Sequence, residues 1–165
     1  MIIGAGPVGL CAAIDLAQRN VPVVVVDDND KVSFGSRAIC FAKRTLEIFD
    51  RLGVGDQIVE KGVQWNLGKV FFDERKVYEF NLLAEEGHQR PAFINLQQHY
   101  VEVYLFERLK ALQDNGAPID IRGQTKLTEL TQTDNKAILC LETPEACYQI
   151  SSDWVLACDG ANSPA

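Results

Sequence analysis

Residues 4–9 read Gly-Ala-Gly-Pro-Val-Gly, three glycines in the spacing Gly-x-Gly-x-x-Gly. That spacing suits one chemistry, the cradling of a diphosphate against backbone N–H groups. Gly4 is expected to make a tight turn, and Gly6 to let the backbone approach a pyrophosphate. Gly9 is expected to let a helix pack closely on a strand. Pro7 lies inside the same turn and is counted with them. A helix beginning here offers unbonded N–H donors and a partial positive charge to an anion. Asp27 ends the β-branched run that starts at Val21, and its carboxylate is placed to accept hydrogen bonds from both hydroxyls of a ribose. Asp28 is its neighbour, and alternation along the strand turns it to the other side. This constellation points to an adenine dinucleotide without choosing between NAD and FAD. The plainer reading is a glycine turn with a capping aspartate.

The elements that must position these residues follow from periodicity. Ile2 and Ile3 end a first strand, Leu10–Arg19 reads as a helix, and Val21–Val26 as a second strand. A continuous β-branched run suits a parallel strand buried on both faces, so the opening is a βαβ unit. A loop over 28–36 leads to a helix at Lys43–Leu52, with Leu46, Phe49 and Leu52 on one face and Gly53 as its stop. Gly68–Leu82 reads as a hairpin turning at Asp73, Glu74 and Arg75. Trp65, Phe71, Phe72 and Tyr78 are expected to pack a sheet. The longest helix spans Gln98–Asn115, with Val101, Leu105, Leu109 and Leu112 as its apolar stripe and Gly116 as its end. Short strands follow around 119–121, 127–130, 137–141 and 148–150. Trp154–Cys158 reads as a last, buried strand, followed by Asp159-Gly160. Little precedes the first strand, and the chain stops soon after the last. Both ends read as cut.

Composition sets the outer bounds. The chain has 165 residues, of which 47% are hydrophobic and 24% charged, the profile of a globular domain. No apolar run approaches the roughly 18–20 residues that span a bilayer, and the opening residues do not form a signal peptide. A cytoplasmic location is the default. A net charge of −7 argues against nucleic acid as a partner. Cys11, Cys40, Cys140, Cys147 and Cys158 are odd in number and contain no Cys-x-x-Cys pair, which argues against a disulfide framework or zinc site. Cys11 and Cys158 read as small core residues. His88 and His99 lack a nucleophile pattern around them and are read as non-catalytic.

Four segments in order resemble the class A flavoprotein monooxygenases, relatives of para-hydroxybenzoate hydroxylase and 3-(3-hydroxyphenyl)propionate hydroxylase. They are Ile2–Leu10, Ser36-Arg37-Ala38, Asn95-Leu96-Gln97-Gln98 with Val101-Glu102 and Leu105, and Val155–Ser163. The resemblance implies a Rossmann-like α/β FAD-binding domain over residues 1–165, the N-terminal part of a longer enzyme. Residues 63–95 would contribute to the substrate-side sheet. It adds Arg37, Gln98 (in preference to Gln97), Asp159 and Gly160 to the cofactor-binding set. Arg37 would meet the ribose and pyrophosphate, Gln98 the flavin, and Asp159 both FAD and NAD(P)H. The implied reaction takes hydride from NADH or NADPH and reacts the reduced flavin with O₂. A C4a-hydroperoxide then hydroxylates a small phenolic substrate, and no side chain acts as nucleophile. Asp27 stands where many members carry glutamate. The members' later Gly-Asp motif lies outside these residues, so the 165 residues alone are expected to bind FAD weakly or not at all and not to hydroxylate. The alternatives are another flavin oxidoreductase such as a halogenase or reductase, an NAD-linked dehydrogenase, or a non-catalytic FAD-binding fragment.

Overall fold

The structure, a computed structural model, describes residues 1–30, 38–83 and 85–161. In chain order its elements are β1 (Ile2–Ile3), α1 (Pro7–Ala17), β2 (Val23–Val26), β3 (Cys40–Ala42), α2 (Lys43–Leu52), α3 (Gly55–Lys61), β4 (Val63–Trp65), β5 (Leu67–Phe72), β6 (Arg75–Asn81), β7 (Phe93–Asn95), α4 (Gln98–Asp114), β8 (Ile119–Arg122), β9 (Lys126–Gln132), β10 (Ala137–Glu142), β11 (Cys147–Ser152) and β12 (Leu156–Ala157). They divide into two compact units. One comprises Met1–Phe34 with Glu102–Ala165, the other Gly35–Val101. No helix among the described residues is long and apolar enough to cross a membrane.

The first unit is built on a sheet ordered β12-β1-β2-β8, with every pairing parallel. Strand alternation gives this sheet two apolar faces. Ile2 meets the base of α1, within 3.3 Å of where a Cβ on Gly9 would stand. Leu10, Ala13, Ile14 and Ala17 recur at helical spacing on α1 and are buried. On the opposite face Ile3 and Val26 join Leu127, Leu139 and Leu141 in a core cluster supplied by the antiparallel sheet β11-β10-β9. Each of these aliphatic side chains contributes about 1.5–3 kcal/mol by leaving water. The expected βαβ opening is thus present, with α1 starting at Pro7 and ending at Ala17 rather than running to Arg19. β2 begins at Val23, past Pro22, where the ladder gains its first donor.

The last strand departs from expectation. Among the described residues only Leu156–Ala157 pair, and they form an edge of the parallel sheet beside β1. Trp154 is 83% exposed and Leu156 also meets solvent. An edge strand this short has one covered side, so the apolar run does not imply burial on both faces. Cys11 and Cys158, expected in the core, are half-buried.

In the second unit α2 matches its predicted bounds, and Gly53 ends it in the left-handed region at φ 84°. β5 and β6 form the predicted hairpin, with Asp73 at its turn at φ 50° and Gly68 lying under the Phe80 ring. Its aromatics do not all pack as expected: Phe71, Phe72 and Tyr78 are exposed on a two-stranded ribbon. Trp65 does pack, stacked on Phe93 at 5.2 Å, with Nε1 donating to Asn95 Oδ1. Two features had no counterpart in the sequence reading, helix α3 and the sheet β3-β7-β4.

Arg90 fastens this unit. Its guanidinium donates through Nε and Nη2 to both oxygens of Asp50 at the end of α2. Nη2 also reaches Asp56 in α3. The Arg90 side chain is only 10% exposed, and the two carboxylates push its pKa above the ordinary value. Removing one partner of a buried fork leaves a charge poorly paired, which costs about 3–5 kcal/mol when burial is complete. Asp56 remains, and Asp50 keeps some solvent. Asp50→Ala is therefore expected to lower unfolding free energy by about 2 kcal/mol in urea titration. A change below about 0.5 kcal/mol, the usual surface value, would show the fork to be idle.

Candidate functional site

Three parallel strands end side by side in the first unit, and each end carries one predicted segment. β1 runs into the glycine turn, β2 into Asp27, and β12 into Cys158-Asp159-Gly160. Gly4 N donates to Val26 O at 2.8 Å, and Cys158 N to Ile3 O at 2.7 Å, so the strand ends are locked in register. Ligands of open α/β sheets bind outside these carboxyl ends.

The three glycines are required for three different reasons. Gly4 sits at φ +97°, and a Cβ there would lie 2.5 Å from Cys158 O. A Cβ on Gly9 would lie 1.9 Å from Gly4 O, so α1 and the turn touch backbone to backbone. Gly6 differs. Its φ of −70° and ψ of −178° suit any residue, and a Cβ would meet nothing within 4 Å. The fold does not need glycine at 6; the space in front of it does. Gly6 is the N-cap of α1, Pro7 follows in the first turn, and no side chain caps the helix. No acidic residue lies in that turn. The first-turn N–H groups therefore face outward for an anion. This cradle, which a side chain would fill, fits a diphosphate.

Asp27 is tied down more firmly than its strand-end position suggested. Oδ2 accepts from Ala5 N at 2.6 Å, inside the glycine turn. Oδ1 accepts from Asn29 N at 2.9 Å and from Asn29 Nδ2 at 3.1 Å. The capping arrangement is thus present. An ionised carboxylate has about four lone-pair sites, so acceptor capacity remains for a further donor. Asp28 is exposed and accepts from Asn29 Nδ2 at 2.6 Å. Asn29 went unrecognised in the sequence; its signal was the Asx-turn composition Asp-Asp-Asn-Asp directly after a strand.

At the third strand end Asp159 is half-buried and its Cα stands 2.8 Å from where a Gly4 Cβ would be. Gly160 takes φ +86°, a conformation that favours glycine. Burial, and then the neighbouring Asp159 carboxylate, push the Cys158 thiol above its ordinary pKa. Gly4, Gly6, Pro7, Gly9, Asp27, Asp159 and Gly160 are accordingly brought together in one unit. Gln98 begins α4 in the other unit, half-buried, with its backbone N donating to Ala38 O at 3.0 Å. Arg37 lies outside the described residues. His88 Nδ1 is hydrogen-bonded with Lys43 Nζ, and His99 packs on Tyr100.

Residues 1–165 match the family described as FAD binding domain. The chain belongs to that family. Between the two dinucleotides left open by the glycine turn, the match selects FAD. Over 99% of its length the chain is 26% identical to para-nitrophenol 4-monooxygenase of a Pseudomonas species, covering 40% of that protein. It is 29% identical to 3-(3-hydroxy-phenyl)propionate/3-hydroxycinnamic acid hydroxylase of Mycolicibacterium gilvum, covering 28% of it. The crystal structure of p-nitrophenol 4-monooxygenase from Pseudomonas putida superposes with a TM-score of 0.89 at 28% identity, over 99% of this chain and 41% of that one. The α/β class and the FAD-binding Rossmann-like fold are those expected from the sequence, and the chain spans well under half the length of these relatives.

The glycines give a direct test of the division between fold and ligand. Gly9→Ala is expected to cost about 3 kcal/mol, because a backbone carbonyl blocks the new methyl group. Gly6→Ala is expected to cost no more than about 1 kcal/mol, the exchange of a glycine N-cap for alanine. Denaturant titration of both variants checks this; equal losses would mean that Gly6 serves the fold after all.

Proposed function

We propose that this chain is the FAD-binding portion of an NAD(P)H-dependent monooxygenase that hydroxylates a small phenolic ring. The observation that carries the reading is the open, uncapped turn before α1, flanked by Asp27 and Asp159, in a chain whose whole length matches an FAD-binding family. Two relatives named for hydroxylation or monooxygenation of phenols support the substrate class.

The residues divide the work. The backbone at Gly6 and the first turn of α1 would hold the diphosphate. The Asp27 carboxylate would accept from the adenosine ribose hydroxyls. Asp159 and Gly160 would line the dinucleotide beside Gly4 and support its exchange with NADPH or NADH. Arg37 and Gln98 join the set by resemblance, as a donor fork for phosphate oxygens and an amide for the flavin edge. Bound flavin supplies the redox chemistry, taking hydride from the nicotinamide and activating O₂. The side chains bind, orient and exclude water, and none is needed as nucleophile.

Flavin titration tests the assignment. Gly6→Val is expected to abolish FAD binding by filling the diphosphate space. Asp27→Ala is expected to weaken it by about 1–3 kcal/mol, the cost of leaving ligand hydroxyls poorly paired. Unchanged flavin affinity in both variants would sink the site. Product formation from a panel of phenols with NADPH, NADH and O₂ then separates a hydroxylase from a flavin-binding unit without turnover.

A further inference from the structure

We propose that the open face of the sheet β3-β7-β4 receives the aromatic ring to be hydroxylated, with Phe93 stacking on that ring and Asn95 donating to its oxygen. The proposal rests on the monooxygenase reading above and adds to it two specificity-determining residues.

The register assigns the two faces of this sheet. Phe41, Ile94 and Gln64 are cross-strand partners and share one face. That face meets the helices. Ile94 is fully buried against Gly62, just after α3, and the Phe41 ring packs on Phe49 of α2. Alternation turns the rows on either side the other way. One row is Cys40, Asn95 and Val63, all exposed; the other is Ala42, Phe93 and Trp65, all half-buried.

Phe93 is the central ring of the open face, since β7 lies between β3 and β4. Trp65 covers one side of it, stacked at 5.2 Å with the planes 22° apart. On the other side the register places Ala42, a side chain too small to cover a ring. A planar guest completes the stack there. Offset aromatic pairs gain attraction beyond the area they bury, which a saturated ring does not match.

Asn95 supplies the polar contact. An indole N–H only donates, so the bond from Trp65 Nε1 to Asn95 Oδ1 at 2.9 Å fixes which way the amide faces. Nδ2 is turned away from Trp65 and has no acceptor among the described residues. A phenol oxygen can accept from it. Asn95 stands two residues along β7 from Phe93, on the same face, so donor and ring are presented together. The place also suits the chemistry. Beyond Asn95 the chain runs on to Gln98, the proposed flavin-edge residue, and Leu96 N to Ile39 O and Gln98 N to Ala38 O tie this end down. A ring that takes an oxygen atom from the flavin must lie against the flavin edge. Asn95 is at the end of the sheet that leads to Gln98.

Nuclear magnetic resonance of the isotope-labelled chain reads both contacts. Phenol is compared with toluene, which lacks the oxygen, and with cyclohexanol, which lacks the flat ring. Phenol is expected to bind in the millimolar range, as a fragment-sized ligand does, and to move the Ala42 methyl and Asn95 side-chain amide signals. Asn95→Ala is expected to lower the phenol-to-toluene affinity ratio about fivefold, the worth of one hydrogen bond. Phe93→Leu is expected to lower the phenol-to-cyclohexanol ratio about threefold. Ratios taken within one variant cancel a general loosening of the fold, which would weaken every probe alike. An unchanged ratio in either variant, or phenol shifts that miss Ala42 and Asn95, overturns the proposal. ADP is titrated in parallel and is expected to move the Ala5 and Gly6 amide signals. Their silence would instead overturn the FAD reading, and this proposal with it, at a separate place in the spectrum.

Discussion

Helix α1 meets the turn after β1 so closely that a single methyl group on Gly9 would collide with the Gly4 carbonyl. Everything else at the site depends on that contact. It sets the N-terminus of α1 against the end of the sheet, so the first-turn N–H groups point past the strand ends and not into the core. It brings Ala5 N within 2.6 Å of the Asp27 carboxylate on the neighbouring strand. Buried Leu10, Ala13 and Ile14 hold the helix there, and Gly9 is the position where no side chain intervenes.

The second requirement is that distant segments arrive at one edge. β12 follows β1 by almost the whole chain, yet pairs with it in parallel and delivers Asp159 beside Gly4. The antiparallel sheet β11-β10-β9 supports this from below, through Leu127, Leu139 and Leu141 against Ile3 and Val26. Gly4 then serves both sides, since its missing Cβ is what lets Cys158 O approach. The site is a junction of three strand ends, and its polar groups are presented by backbone geometry more than by side-chain reach.

How much of this was legible depended on whether the signal was local. The glycine spacing, the valine run of β2, the Leu46-Phe49-Leu52 face of α2 and the Gly53 stop are all local, and the structure follows them. The sheet β3-β7-β4 was invisible because each strand has three residues and its partners lie far off in sequence: Asn95 pairs with both Cys40 and Val63. α3 starts at a glycine, after an N-cap at Val54 without a side-chain cap, so no start signal announced it. Trp154 and Leu156 looked like core because apolarity says nothing about which strand is an edge. The Arg90 fork and the Asn29 bridge were hidden for a related reason, since a polar residue in a loop declares its partner only once the loops are packed.

The proposed site stands on the turn before α1 receiving the diphosphate of FAD. A crystal structure of the protein grown with FAD addresses it most directly. The diphosphate oxygens are expected within hydrogen-bond distance of the first-turn N–H groups of α1, lying over Gly6, with the adenosine ribose at Asp27. Flavin bound elsewhere, with Gly6 facing solvent and Asp27 still bonded only to Ala5 and Asn29, would contradict it.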